Sequence, residues 1–282
     1  MGLSKKIIIA DTLALSVDKI FNTPVPELSM PVLWIEIIFY ALQIYFDFSG
    51  YSDMAIGLGR IFGFRFLENF NYPYIAKSIT DFWRRWHISL SSWFKEYVYI
   101  PLGGNRNGLR NTLRNLLIVF FLTGLWHGAE YTFILWGLWH ALFIMLEKIV
   151  LSVKSFFNIS VNSTKSIYKI PLYIYSTFVV LIGWVFFRSP NLNYAVLYLK
   201  GLFNQINFTP EFGYGYYFSS GSWIICAIGL LLAVGVGNKL MITTSHYKYC
   251  NICLDVFLLF TFFLSIVFLT STSYSPFIYF RF

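Results

Sequence analysis

The sequence predicts an all-α, polytopic transmembrane helix bundle with re-entrant or interfacial helices. Three observations carry this. The chain has 282 residues, of which 57% are hydrophobic and only 12% charged, with a mean hydropathy of +0.62. Soluble domains are nearer roughly a quarter charged and under half apolar. Apolar runs near the twenty residues that a bilayer-crossing helix needs recur along the chain. The alternating pattern of a membrane barrel is missing, so helices are the element that can satisfy the backbone in lipid. One membrane domain over residues 1–282 is expected.

The opening stretch, MGLSKKIIIADTLALSVDKIFN, joins an apolar start to Asp11, Asp18 and Lys19. Those charges interrupt the apolar core of a cleavable signal, and no small-residue cleavage site follows. An amphipathic or short membrane helix is expected there. Six spans follow: Pro31 to about Gly50, Leu113 to Ala129, Tyr131 to Glu147, Pro171 to Phe187, Trp223 to Gly237 and Leu254 to Thr270.

Charge tests the threading. The linker after the third span carries Lys148, Lys154, Lys165 and Lys169, and the linker after the fifth carries Lys239 and Lys248. Between them, the linker after the fourth holds only Arg188 and Lys200 over a long Tyr- and Gly-rich stretch. Lys and Arg gather in cytoplasmic loops, so the basic linkers are read as cytoplasmic and the C-terminus as outside. The formal charge of +8 then reflects loop chemistry rather than nucleic-acid binding.

The segment from Ser52 to Arg114 is too aromatic for a solvent loop and too charged for a span. Trp83, Trp86 and Trp93 stand at helical spacing with Phe82, Leu90 and Phe94. Interfacial or re-entrant helices suit that mixture. Polar backbone at membrane depth survives inside protein or along a wet cavity, so the segment is expected to line one.

Several motifs carry no chemistry. Cys250 and Cys253 form C-x-x-C, but Cys226 is the only other cysteine and no second pair completes a zinc site. GLGRIFG misses the dinucleotide spacing, and GGNRNG reads as a turn with flexible backbone. No metal site is expected.

Four histidines are present: His87, His127, His140 and His246. His246 sits in a polar linker. His127 lies near the end of an apolar span and precedes Gly128, which leaves room for a substrate or another backbone. Ionisable groups in spans are costly and face interior cavities, and histidine suits proton transfer near neutral pH. A histidine hydrogen-bonded to a neighbouring helix fits the same position, so both readings stay open here. His140 has a weaker local context. Beside His87, Arg84 and Arg85 can hold phosphates or carboxylates, or simply snorkel to the cytoplasmic surface.

Three long blocks then bear on family: YFDFSGYSDMAIGLGRIFGF, NFNYPYIAKSITDFWRRWHISLSSWFKEYVYIPLGGNRNG and LTGLWHGAEYTFILWGLWHALF. They resemble the membrane-bound O-acyltransferase (MBOAT) family, and within it the alginate O-acetyltransferase membrane-subunit subgroup. SYSPFIYFRF at the end resembles that subgroup's C-terminus. The resemblance implies a multi-helix bundle around a funnel, the family's invariant histidine at His127 and its second polar position at His87. It implies acyl transfer from a thioester donor, acetyl-CoA being expected, to a hydroxyl, with no bound cofactor. Arg84, Arg85, Trp86 and Trp126 are the expected substrate-binding residues.

The expected setting is a bacterial cytoplasmic (inner) membrane, multi-pass, in contact with the lipid bilayer. The expected partners are an extracytoplasmic esterase-like acetyltransferase and a polysaccharide acceptor, with no nucleic acid. D-alanyl transfer to teichoic acid is the nearest alternative, and an inactive scaffold or transport subunit the next. A transporter should carry an inverted repeat, and none is found. Family members carry further membrane helices before the point where this chain begins, so an N-terminally truncated product is expected, with an incomplete funnel wall.

Overall fold

A computed structural model of the chain describes residues 1–156, 169–204, 213–237 and 248–271. The described residues are helical and hold no strand. His246 and the linker lysines Lys165 and Lys239 lie outside them, as does SYSPFIYFRF. The chain divides into two compact units, Met1–Glu68 with Lys200–Phe282, and Asn69–Leu199.

In the first unit, α1 runs through Gly2–Ser4, a π turn at Lys5–Ala10 and Asp11–Phe21. Ile9, Leu13, Val17 and Ile20 form its buried row, the i, i+4 spacing of one helix face. The charges that argued against a signal peptide have a structural role. Lys6, 4% exposed, bridges Asp11 at 2.7 Å and Asp47 at 2.6 Å. A buried charge is tolerable when paired, and this one ties α1 to α2 (Met30–Ile61). Gly2 and Gly50 let the two backbones approach: a Cβ on either would stand 2.5–2.7 Å from the other's carbonyl oxygen.

α2 outruns the expected span. Pro31 sits in its first turn, where a missing N–H costs nothing. Its 32 residues reach about 48 Å at 1.5 Å per residue, well beyond a hydrocarbon core of about 30 Å. The extra turns, with Asp53 and Arg60, end at Gly63, whose φ of +82° supplies the left-handed stop. α9 (Ser220–Ala233) joins α1 through Ser16 and Ser222, 3.2 Å apart. α10 (Lys248–Ser271) joins it through Ser265 and Ser4 at 3.1 Å.

The second unit holds α3 (Ile79–Trp83), α4 (Ile88–Phe94) continued by a π turn at Lys95–Tyr99, α5 (Gly108–His127), α6 (Tyr131–Phe156) and α7 (Ile170–Arg188). Before the second helical unit closes, α8 (Leu192–Phe203) begins. The tryptophan row expected to follow one helix is split. Trp83 ends α3, Trp93 lies in α4, and His87 between them adopts φ +45°, ψ +56°, which breaks the helix.

Of the expected spans, four helices among the described residues are long and apolar enough to cross a membrane: 30–61, 131–153, 170–188 and 252–270. Ser220–Ala233 is apolar but short. α5 has the length, yet Arg110, Asn111, Arg114 and Asn115 in its first turns make it too polar for that class. It survives by packing on α6. Gly124 and Gly137 face each other there, so that a Cβ on Gly137 would stand 3.3 Å from Gly124 Cα. Small residues of this kind allow close helix contact without a hydrophobic drive.

Candidate functional site

His127 is the last residue of α5, half-buried. Its ring meets Trp136 edge-on at 5.0 Å and Phe187 at 5.1 Å between centroids, so α6 and α7 both shape its pocket. The space beside Gly128 is not open. A Cβ there would meet the Phe133 ring at 2.7 Å, so this glycine makes room for an aromatic ring of α6.

Trp126, 56% exposed, lies against both catalytic-candidate histidines. Its centroid is 4.8 Å from that of His127 and 6.3 Å from that of His87. Residues forty positions apart in the sequence thus share one aromatic neighbour.

His87 is held by two backbone hydrogen bonds between the 69–71 segment and the turn at 85–88. Asn71 N–H donates to the Arg85 carbonyl at 2.9 Å and Ile88 N–H to the Asn69 carbonyl at 3.0 Å. Asn69 Oδ1 accepts from the Ser89 backbone N–H at 3.0 Å, which fixes that atom as oxygen. His87 Nδ1 is 3.3 Å from the same oxygen and 3.3 Å from the Ser89 hydroxyl; in the tautomer that donates to Asn69, the lone pair of the neutral ring is on Nε2. Burial lowers the His87 imidazole from 6.5 to about 4, so the ring is neutral at ordinary pH. Its left-handed backbone is uncommon for a non-glycine residue and costs about 1–3 kcal/mol.

The remaining expected residues separate. Trp86 is only 1% exposed, enclosed by Phe70, Phe82 and Trp184 at 5.0–5.6 Å; it is packed behind His87. Arg85 bonds Asp81 at 2.9 Å and the Asn71 carbonyl at 3.2 Å. Arg84 instead lines a cavity of about 310 Å³ with Lys95, Lys148, Tyr99 and Asn105, over a floor that includes Trp83, Val119, Phe120 and Thr123. Burial pushes the Tyr99 hydroxyl upward, and it donates to Asn105 at 2.5 Å. The GGNRNG loop read as flexible is pinned here: buried Asn115 donates to the carbonyls of Leu102 and Gly104, both at 3.1 Å.

His140 is fully buried, stacked on Phe82 at 6.1 Å and edge-on to Trp83 and Trp136 at 5.3 Å. Neither ring nitrogen has a hydrogen-bond partner. Sequence reasoning missed Asn69, Ser89, Lys95 and Lys148. No spacing links Asn69 to His87 across eighteen residues. The lysines carry the signal of basic residues at an aromatic edge, but it is spread over two elements. No group of His, Cys, Asp and Glu suited to a metal occurs among the described residues.

A family model, the membrane-bound O-acyltransferase family, matches residues 5–195. The chain is 36% identical to the probable alginate O-acetylase AlgI of Pseudomonas putida, over all of this chain and 59% of that protein. It is 43% identical to the peptidoglycan O-acetyltransferase of Helicobacter pylori, over 72% of this chain and 37% of that protein. It is 40% identical to the teichoic acid D-alanyltransferase of Bacillus subtilis, over 36% of this chain and 28% of that protein. The chain therefore spans well under two thirds of the length of the relatives it matches.

Proposed function

This chain belongs to the membrane-bound O-acyltransferase family, and from that premise we propose that it takes part in moving an acetyl group from a thioester donor to a hydroxyl of an extracytoplasmic polysaccharide. The observation that carries the reading is the Trp126 ring with His87 and His127 on it. His127 accepts the proton of the attacking hydroxyl. The hydroxyl oxygen bonds the thioester carbonyl carbon, the C–S bond breaks, and the proton passes to the leaving thiolate. General-base assistance of this kind contributes roughly 10²–10⁴-fold.

His87, with its lone pair on Nε2, steers or polarises. Trp126 borders the reacting groups, Trp86 braces His87 from behind, and Arg85 holds the 69–71 segment through the Asn71 carbonyl. Arg84 faces the donor. The donor of this reading is acetyl-CoA, entering from the cytoplasm of a bacterial cell whose inner membrane holds the protein. An esterase-like partner outside receives the acetyl group and places it on the polysaccharide. The names of the Pseudomonas and Helicobacter relatives support acetyl transfer. D-alanyl transfer is the second reading, favoured by the Bacillus relative, over a shorter aligned stretch.

The test is acetyl content of cell-envelope polysaccharide in membranes carrying the chain together with any flanking segment its relatives possess. His127→Ala is expected to abolish acetylation at matched protein level. Full acetylation in that variant would end the histidine-based reading.

A further inference from the structure

Where α2 ends, the chain leaves a row of large apolar side chains uncovered. Phe62, Phe64, Phe66 and Leu67 are between 56% and 88% exposed. The row is built rather than loose. The Phe64 N–H donates to the Gly59 carbonyl at 2.8 Å and the Gly63 N–H to the Arg60 carbonyl at 3.1 Å, so the chain doubles back on the last turn of the helix. Gly59 lets the Phe66 ring lie in the space that a Cβ would take. Phe64 and Phe66 stack at 6.3 Å between ring centroids.

Two cations are threaded through the row. Arg60 and Arg65 are both exposed, and neither takes part in an ion pair among the described residues. Of the nearby acids, Asp53 is bound by Lys5 at 2.8 Å, and Glu68 follows at the edge of the row.

A contiguous apolar patch of this kind marks an interaction surface, and its place selects the partner. It follows without a break from α2, a helix long and apolar enough to cross a membrane. Aromatic rings with arginines between them suit the boundary of acyl chains and headgroups, where the rings bury and the guanidinium reaches a phosphate. Length agrees. The 32 residues of α2 make about 48 Å. A tilt of about 30°, within the ordinary range, fits that length into the roughly 40–45 Å of a bilayer with its headgroups and brings the row to the interface.

We propose that residues 59–67 form an interfacial hook: Phe62, Phe64, Phe66 and Leu67 enter the acyl-chain boundary of the bilayer, and Arg60 and Arg65 hold the phosphates of anionic phospholipids in the same leaflet. Acyl transfer plays no part in this site, so its test needs no turnover.

The full chain carries Leu67→Cys, with its three native cysteines changed to alanine, and is labelled with bimane in bilayer nanodiscs, where both faces meet the solvent. Phosphatidylcholine brominated on its acyl chains is expected to quench the label, and aqueous iodide to quench it far less than in the denatured chain. Brominated phosphatidylglycerol should bind beside the label at least about fivefold more strongly than brominated phosphatidylcholine, the scale for one basic side chain at an anionic surface. Arg60→Gln with Arg65→Gln should bring that ratio to about one while quenching by phosphatidylcholine persists, and Arg60→Lys with Arg65→Lys should keep most of it. Strong iodide quenching without lipid quenching would place the hook in water and overturn the proposal. Protection from both reagents would mean that protein covers the hook, and overturns it equally. A phosphatidylglycerol preference that the glutamine pair leaves unchanged would remove the arginines from lipid binding.

Discussion

The carboxylate of Glu147 accepts both the backbone N–H and the hydroxyl of Thr80, at 3.0 and 2.6 Å. The Ile79 N–H adds a third bond at 2.5 Å. These are orphan donors of the first turn of α3, and an anion at a helix N-terminus is favourable. One residue of α6 thereby fixes the helix that presents Trp83 and, at its end, Arg84. Glu147→Ala is expected to cost about 1.5–3 kcal/mol, the range for hydrogen bonds to a charged group. Thermal unfolding in detergent should fall, and protease cleavage near residues 79–85 should rise. Glu147→Gln, which keeps one acceptor oxygen, should lie between. An unchanged midpoint for the alanine variant would remove the anchoring role.

Gly137 predicts a second loss. Its Cβ position overlaps the Phe120 carbonyl oxygen, and that of Gly124 stands 2.5 Å from the Phe133 carbonyl oxygen. The obstacles are backbone atoms, which cannot swing aside as a side chain can. Gly137→Ala should therefore force α5 and α6 apart at a cost of about 1–3 kcal/mol, and Gly137→Val should cost more. Folded yield after size-exclusion chromatography measures it. Wild-type yield for Gly137→Val would mean the two helices tolerate a wider spacing.

Helix existence was legible because apolar runs and breakers are local. Pro31 marks the start of α2 as expected, whereas its end at Gly63 lies beyond the expected Gly50. What the sequence hides is pairing across distance. Asp11 reads as an interruption of an apolar stretch, yet in the fold it shares the buried Lys6 with Asp47, thirty-six residues on, and Asn69 gives no hint of His87. His127 and His87 were named from family blocks; their common neighbour Trp126 is a tertiary fact. Arg84 and Arg85 are adjacent in the chain but part company because α3 ends just before them, at Trp83, and Asp81 claims the second.

His140 was a lesser candidate by context, and its surroundings make the contrast with His127 testable. A fully buried ring stacked among Phe82, Trp83 and Trp136 fills space, and its removal leaves a hole. Truncating a buried aromatic to Ala costs about 3–5 kcal/mol. His140→Ala is expected to lower the thermal midpoint sharply, with the surviving folded fraction still transferring acyl groups. A fully stable His140→Ala protein that no longer transfers would instead make His140 part of the chemistry.

The charge pattern predicts an orientation that labelling can check. With the native cysteines replaced, a single cysteine at Ser166, between Lys165 and Lys169 of the basic linker, should resist a membrane-impermeant reagent in intact cells. One at Asn191, in the sparsely charged linker, should react. The reverse pattern would invert the bundle and place the mouth of the cationic cavity outside.

His87 makes a pH prediction whose sign follows from its surroundings, since it lies outside the spanning helices. Its pKa is 6.5 in the unfolded chain and about 4 in the folded one, because burial penalises the charged ring. Above pH 6.5 both states are neutral and His87 contributes nothing to the pH dependence. As pH falls from 6.5 towards 4 the unfolded chain takes up the proton first, so stability drops across that window and levels off below it. His87→Asn is the control, because asparagine tolerates the left-handed backbone and does not titrate. The difference between wild-type and variant unfolding free energies should be flat above pH 7 and shift against the wild type between pH 6.5 and 4. Across pH 5 to 8 the folded ring stays neutral, so acyl transfer should show no limb from His87 there. A wild-type-minus-variant difference that does not change between pH 7 and 4.5 would mean the ring is hydrated and holds its ordinary pKa.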